Sequence, residues 1–420
     1  MGGYAVILVV AAVTTAVLTP VARWLALRVG AVAMPGPRKV HDKPMPSLGG
    51  ASMFAGFLVA MAVASQVPQF HEMFHGSSEP IGLMLAAAVM FVVGAVDDFR
   101  EMSPPAKLAG QVLSGSVLSL MGVTMLFFHV PFSSFGTVVL SPDLAPLATV
   151  LTVVIMANAI NFIDGLDGLA AGIVVIAGSA LFLYSDRLFK DGFLEGSNIA
   201  PLVAVIAVGI CLGFLPFNFN PARIFMGDAG AMLLGLLMAT MTITIGGRAD
   251  YEYPGQTYFF FAPLFIPLVI LGVPMLDTVF SVIRRVARGR SFAVADKDHL
   301  HHRLMRLGHG PRRTVVLLWA WTALLSALAL FPLYTKRGNG MVPVGVLALG
   351  LLLYAIFHPG AREARRAGAG GDAAVDLTVP DGVVDLETHR ERTGSRRSRR
   401  ARAPTSRYGR HGAKDVGGPG

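Results

Sequence analysis

Apolar stretches of near-bilayer length recur along the chain up to residue 357. Because about 20 apolar residues are needed to cross the hydrocarbon layer, these stretches predict eleven transmembrane helices. They lie near 4–22, 48–68, 81–96, 108–126, 144–160, 168–185, 199–217, 229–246, 257–283, 314–334 and 340–357. The predicted fold is therefore an all-α, polytopic membrane protein. Residues 127–140, in an outer loop, alternate in polarity around a Ser-Ser-Phe-Gly turn, which predicts a short β-hairpin lying on the membrane.

The basic residues of the predicted loops indicate how the helices are oriented. With the N-terminus outside, the inner loops hold seventeen Lys and Arg residues and the outer loops hold five. Cytoplasmic loops carry the excess of positive charge. We therefore predict that the N-terminus lies outside and the C-terminus inside a bacterial plasma membrane.

Composition narrows the class of protein. Hydrophobic residues make up 54% of the chain and charged residues 15%, against about 25% charged in an ordinary soluble domain, which excludes a soluble globular enzyme. The single cysteine, Cys211, excludes a disulfide framework within one chain.

The net charge of +9 is concentrated towards the C-terminus, where residues 358–420 are rich in Gly, Ser and Arg. We predict an integral membrane domain over 1–357 and a disordered cytoplasmic tail over 358–420. The arginines of the tail fit either a solvated segment or contact with anionic lipid headgroups. The membrane domain is only mildly basic, and nothing indicates a nucleic acid partner.

Polar residues of the predicted spans gather at their cytoplasmic ends, where ionisable groups are functional candidates. Asp97 and Asp98 end the third span. Adjacent carboxylates repel each other unless a cation or a shared proton relieves them, so this pair indicates Mg²⁺ or proton-transfer chemistry, or else two carboxylates that reach interfacial water. Lys107 fits a phosphate contact or an interface anchor.

A second polar group ends the fifth span. Asn158, Asn161, Asp164 and Asp167 recur every three residues, a spacing that places neighbours on one side of a helix or tight turn. They indicate a ligand site, with helix capping at the turn as the alternative.

Two further segments complete the set. Asn218 and Asp228 lie between the seventh and eighth spans, and Asp228 fits equally an N-cap or a Mg²⁺ ligand. His299, His301 and His302 lie in a basic loop. Imidazoles among basic residues suit an anionic ligand such as pyrophosphate better than zinc. The alternative is a solvated loop that binds no ligand.

Five ordered motifs carry a family resemblance. They are PGPRKVHDKPMPSLGG at 35–50, which contains Lys43, then VDDFREMSPPAKLAGQ, NAINFIDGLDGLAAG, FNFNPARIFMGDAGAMLLG and DHLHHRL at 298–304. With these motifs the chain resembles the polyprenyl-phosphate N-acetylhexosamine-1-phosphate transferases. HLHHRL is similar to the branch that transfers GlcNAc-1-phosphate to undecaprenyl or decaprenyl phosphate. Phospho-MurNAc-pentapeptide transfer is the alternative within the family.

The resemblance implies transfer of sugar-1-phosphate from UDP-GlcNAc to a membrane polyprenyl phosphate, with release of UMP. It implies Mg²⁺, with Mn²⁺ as a substitute, and leaves a homodimer open. Asp228 and Asn161 are expected to bind the metal. Asp97 or Asp98 either bridges to the metal or deprotonates the lipid phosphate.

The remaining candidates are expected to bind substrate. Asp164, Asp167 and Asn218 are assigned to uridine and sugar, and the three histidines to the diphosphate. Asn158, Lys43 and Lys107 complete the set. A multi-span transporter is the rival class, but internal repeats and midplane polar residues typical of transporters are not evident in the sequence. A membrane scaffold explains the tail but none of the motifs.

Overall fold

The computed structural model describes residues 2–33, 44–129, 137–194, 197–247, 310–335, 343 and 345–351. All of them fall within one compact unit, Met1–Arg366. The predicted boundary at residue 358 lies outside the described residues and stays a prediction.

The described part is almost entirely helical. Its helices, labelled here in chain order, are α1 (Gly2–Val29), α2 (Gly49–Ala64), α3 (His71–Gly76), α4 (Glu79–Phe99), α5 (Pro104–Leu120), α6 (Leu144–Ile163), α7 (Leu169–Lys190), α8 (Ala200–Asn218), α9 (Gly227–Gly246) and α10 (Pro311–Thr335). Proline stands in the first turn of α4, α5 and α8, where its missing N–H costs no helical hydrogen bond.

Helix α9 forms the centre of the bundle. Every residue from Ala229 to Gly246 is buried, and the helix packs against α4, α6, α8 and α2. Helix α1 is different, because only 28% of its most apolar window is buried and its exposed side carries valine, leucine and tryptophan. An apolar surface of this kind suits lipid rather than water.

Seven described helices are long and apolar enough to cross a membrane, or up to eight with the bent pair counted as one span. That pair joins α2 to the 3-10 turn Pro68–Phe70 and to α3, with a bend of 89° near the end of the span predicted over 48–68. The predicted span at 257–283 lies outside the described residues, as does much of 340–357. A mostly helical architecture with several candidate membrane spans is confirmed for the described residues, and the total of eleven spans stays a prediction.

Two short antiparallel strand pairs lie outside the helices. β1 (Val32–Ala33) pairs with β2 (Met45–Pro46), and β3 (Phe127–His129) pairs with β4 (Thr137–Val139). The second pair confirms the predicted hairpin.

Contacts bring several helix ends together at one end of the bundle, called here the polar end. The C-terminal ends of α4, α6 and α8 meet the N-terminal ends of α5, α7 and α9 there. The C-terminal end of α1 joins them, since the guanidinium of Arg23 donates to the carbonyl of Arg223. The predicted site residues on the described helices lie at this end.

Candidate active site

A lysine lies between two carboxylates at the polar end. The ammonium of Lys107 is 2.8 Å from Oδ2 of Asp97 and 2.7 Å from Oδ2 of Asp228. Asp97 lies on the last turn of α4 and Lys107 on the first turn of α5, so the short α4–α5 connection brings them together. The backbone N–H of Met102 in that connection donates to Oδ1 of Asp97 at 2.7 Å. Both carboxylate oxygens of Asp97 are therefore hydrogen-bonded, Oδ1 to the α4–α5 connection and Oδ2 to the first turn of α5.

Asp98 caps helix α9 from another helix. Its Oδ1 accepts from the backbone N–H of Asp228 at 2.8 Å, and its Oδ2 accepts from that of Ala229 at 3.1 Å. The first N–H groups of a helix have no partner within the helix, and Met226 at the N-cap supplies no side-chain bond. The structure therefore gives Asp98 a positioning role, and its predicted part in the chemistry stays untested.

The same contacts bear on the helix-cap interpretation of Asp228. Asp228 is not the N-cap, because α9 begins at Gly227 and the Asp228 side chain contacts Lys107 instead. The helix-cap alternative is therefore wrong, since Asp98 already supplies the cap. The Asp228 carboxylate instead pairs with Lys107, and its predicted role as a metal ligand stays untested.

Glycines allow this close approach. A Cβ on Gly227, whose φ is +69°, would fall on the Asp98 carboxylate, and a Cβ on Gly94 of α4 would meet the backbone of Ala229. Only glycine adopts such a φ without strain. The Asp98 cap therefore depends on these two positions.

Asp164 brings a fourth carboxylate to the polar end. It ends α6 as its C-cap residue, with its N–H donating to the carbonyl of Ile160. Burial raises the pKa of Asp164 well above its usual range, and the nearby carboxylates of Asp228, Asp98 and Asp167 raise it further. Asn161 is half-buried on the last turn of the same helix.

Asp167 and Asn218 hold the loops of the polar end together. Oδ2 of Asp167 accepts from the side chain of Asn220 at 2.8 Å and from the N–H of Ala222 at 3.0 Å. Asn218, only 2% exposed, accepts from the N–H of Gly168 and donates to a backbone carbonyl. The structure gives both residues a structural role, and their predicted substrate contacts stay untested.

Asn158 pairs with a residue that the sequence did not single out. Its Nδ2 donates to Oε1 of Gln111 at 2.7 Å and to the carbonyl of Val154 at 2.8 Å. Because the Val154 carbonyl can only accept, the atom of Asn158 that faces it has to be the donor Nδ2. The atom of Gln111 that contacts the same Nδ2 therefore has to be the acceptor Oε1. Nε2 of Gln111 is buried with no partner. Gln111 lies one helical turn after Lys107, and this i, i+4 spacing places the two side chains on the same face of α5. That spacing was the signal in the sequence that could have identified Gln111 as a neighbour of the site.

Arg312 is the second residue that sequence reasoning missed. At the start of α10, its Nε donates to the carbonyl oxygen and to Oδ1 of Asn220, both at 3.1 Å. It thereby joins α10 to the loop that Asp167 holds. No spacing in the sequence links positions 92 residues apart.

Lys43, His299, His301 and His302 lie outside the described residues. Their predicted roles in substrate binding stay predictions.

The donors at the polar end fit a hard divalent cation. Asp97 and Asp228 present carboxylates to one shared position, and the carboxyl groups of Asp98 and Asp164 lie nearby. Among the described residues, no group of three or more His, Cys, Asp or Glu forms a ready metal site. Mg²⁺ does not require one, since it usually binds one or two carboxylates plus substrate phosphates and keeps several waters.

Comparison with known proteins identifies the class. Residues 80–246 match the model of glycosyl transferase family 4. The chain is 38% identical over 343 residues to the decaprenyl-phosphate N-acetylglucosaminephosphotransferase of Mycobacterium leprae, over 81% of this chain and 86% of that protein. It is 36% identical over 312 residues to the probable undecaprenyl-phosphate N-acetylglucosaminyl 1-phosphate transferase of Bacillus subtilis, over 74% and 80% of the two chains.

A third relative is the undecaprenyl-phosphate alpha-N-acetylglucosaminyl 1-phosphate transferase of Yersinia pestis. It is 30% identical over 346 residues, or 80% of this chain and 86% of that protein. The helical membrane fold and these matches define a multi-pass membrane sugar-phosphate transferase. The chain belongs to the polyprenyl-phosphate N-acetylhexosamine-1-phosphate transferase family.

Proposed function

We propose that this protein transfers GlcNAc-1-phosphate from UDP-GlcNAc to a membrane polyprenyl phosphate and releases UMP. The relatives at 36–38% identity are named for N-acetylglucosamine-phosphate transfer to decaprenyl or undecaprenyl phosphate, which favours this branch over phospho-MurNAc-pentapeptide transfer. The observation that carries the proposal is the carboxylate–lysine centre of Asp97, Lys107 and Asp228 at the polar end. Such a centre suits the binding of two polyanionic substrates, the UDP-sugar and the lipid phosphate, at the membrane surface.

In this reaction an oxygen of the lipid phosphate forms a bond to the sugar-bearing phosphorus of the nucleotide. The bond from that phosphorus to the oxygen shared with the second phosphate breaks, and UMP leaves with the electron pair. Phosphoryl transfer depends on positioning and charge neutralisation more than on covalent chemistry by the protein. A phosphate has a second pKa near 6, so the attacking oxygen is largely ionised at neutral pH.

The described residues supply positioning and charge. Lys107 offers its ammonium to phosphate oxygens, and Asp98 fixes the first turn of α9 and with it Asp228. Asp228 and Asn161 would hold Mg²⁺, or Mn²⁺ in its place, which when bound would neutralise the transferring phosphate. Asp97 either bridges to that ion or accepts a proton from the lipid phosphate.

The remaining assignments follow from the family. Uridine and sugar would contact Asp164, Asp167 and Asn218, and the diphosphate would contact the histidines at 299–302. Eleven spans with the N-terminus outside would place the polar end at the cytoplasmic face of the plasma membrane. A homodimer is compatible with this arrangement.

Release of UMP tests the proposal. Purified protein is given Mg²⁺, polyprenyl phosphate and one of a panel of UDP-sugars. We expect UMP with UDP-GlcNAc and none when the lipid phosphate is left out. Release of UMP in the absence of the lipid would contradict the proposal. So would a result in which UDP-MurNAc-pentapeptide is the only donor of the panel that gives UMP.

A further inference from the structure

The ammonium of Lys107 lies where a cation that binds both Asp97 and Asp228 has to lie. It contacts one oxygen of each carboxylate, at 2.8 and 2.7 Å. All three side chains are largely enclosed, with 17%, 12% and 30% of their surfaces exposed for Lys107, Asp97 and Asp228. The lysine is therefore the counter-ion of this pair of carboxylates.

Asp98, which is adjacent to Asp97 in the sequence, already accepts hydrogen bonds from the backbone. Both oxygens of Asp98 accept backbone N–H groups of α9, and a bond to a metal would compete with that cap. Of the two adjacent aspartates, Asp97 is therefore the one that can bridge to a divalent ion held by Asp228 and Asn161. Asp97 and Asp228 are also the two groups that Lys107 contacts.

The lysine and the metal exclude each other at this position. Mg²⁺ binds oxygen at about 2.0–2.1 Å, so each carboxylate oxygen needs to move by less than about 1 Å for an ion to take the place of Nζ. An ammonium left there would overlap the ion or its water shell. Two positive charges at such a separation also repel each other strongly.

We propose that Lys107 is an internal counter-cation that a divalent metal displaces from the Asp97–Asp228 pair. This inference rests on the proposed function, because it takes these carboxylates as the place of the metal. Displacement frees the ammonium at the moment the metal binds, and the freed group can then contact a phosphate oxygen.

Direct binding of Mn²⁺ to the purified protein without substrates, followed by electron paramagnetic resonance, tests the displacement. We expect Lys107→Met to bind Mn²⁺ at least tenfold more tightly than the unaltered protein, because the competing charge is gone. Lys107→Arg, which keeps that charge, should show no such gain. Equal or weaker binding by Lys107→Met would overturn the proposal, since it would show that the lysine organises the metal site instead of competing for it.

Two variants separate this inference from the proposed function. Lys190→Met removes an exposed lysine that pairs with Asp186 on α7, and its Mn²⁺ affinity should not change. Asp228→Asn should abolish the binding. If Asp228→Asn binds like the unaltered protein, the metal assignment itself is wrong, whereas loss in Asp228→Asn without a gain in Lys107→Met overturns only the displacement.

A second measurement uses the unaltered protein and does not depend on the folding of any variant. Amine-reactive labelling, quantified by mass spectrometry, follows the two lysines with and without Mg²⁺. Mg²⁺ should raise the labelling of Lys107 severalfold and leave that of Lys190 unchanged. Unchanged or reduced labelling of Lys107 at saturating Mg²⁺ would contradict displacement.

Discussion

Asp98→Asn should loosen the start of helix α9. The carboxylate accepts two backbone N–H groups, from Asp228 and Ala229, and an asparagine can accept only one of them while it turns its NH₂ group towards the other. A hydrogen bond to a charged group contributes about 1.5–3 kcal/mol, and an anion at a helix N-terminus adds about 0.3–1 kcal/mol. We therefore expect local opening of this turn to become easier by about 2–3 kcal/mol.

Hydrogen–deuterium exchange measures this directly. A loss of about 2–3 kcal/mol corresponds to roughly 30- to 150-fold faster exchange in peptides that cover residues 226–232. Asp97→Asn is the matched control, because Asp97 contacts Lys107 and Met102 but no amide of α9, and it should leave this exchange unchanged. If Asp98→Asn stops turnover while the exchange of α9 stays as before, Asp98 acts in the chemistry and not as a cap.

Three further predictions concern the tail, the packing and the topology. Truncation after residue 358 should leave UMP release within tenfold, because the Gly-, Ser- and Arg-rich composition of the tail argues against a share in catalysis, and a larger loss in a folded protein would contradict this. Gly50→Ala should lower the free energy of unfolding by about 1–3 kcal/mol, because its Cβ would meet the backbone of α9. A Cβ on Gly76 would have no atom within 4 Å, so Gly76→Ala should leave the stability unchanged. Thermal unfolding of the two variants measures the difference. A reporter active only outside the cell should be active near residue 190 and silent at 380, and activity at 380 would reverse the predicted side of the tail.

The helices could be predicted from the sequence because each depends on a local property. Runs of apolar residues give the spans, and prolines in the first turns of α4, α5 and α8 fit their starts. The bend after α2 was missed although the polar residues Ser65 and Gln66, and then Pro68, interrupt the apolar run there. Apolar composition predicts that a segment is in the membrane but not that it is straight.

The site could be predicted only as a set of residue types at one end of the bundle. Lys107 and Asp228 are 121 positions apart, and Asp98 and Asp228 are 130 apart. Nothing in the sequence tells which of two adjacent aspartates faces an ammonium and which faces a helix N-terminus. That division follows from the position of α9 between α4 and α6, which is a property of the packed bundle.

The central claim is that the carboxylates at the polar end carry the transfer, and Asp228→Asn tests it most directly. Asparagine keeps the size of the side chain, and the N–H of residue 228 still donates to Asp98, so the variant should fold normally. Removal of the charge that a hard cation needs should lower UMP release by several orders of magnitude, and excess Mg²⁺ should restore little. Asp143→Asn, at the exposed start of α6 with no capping bond, should transfer at the normal rate. Near-normal UMP release by Asp228→Asn at ordinary Mg²⁺ would contradict the account.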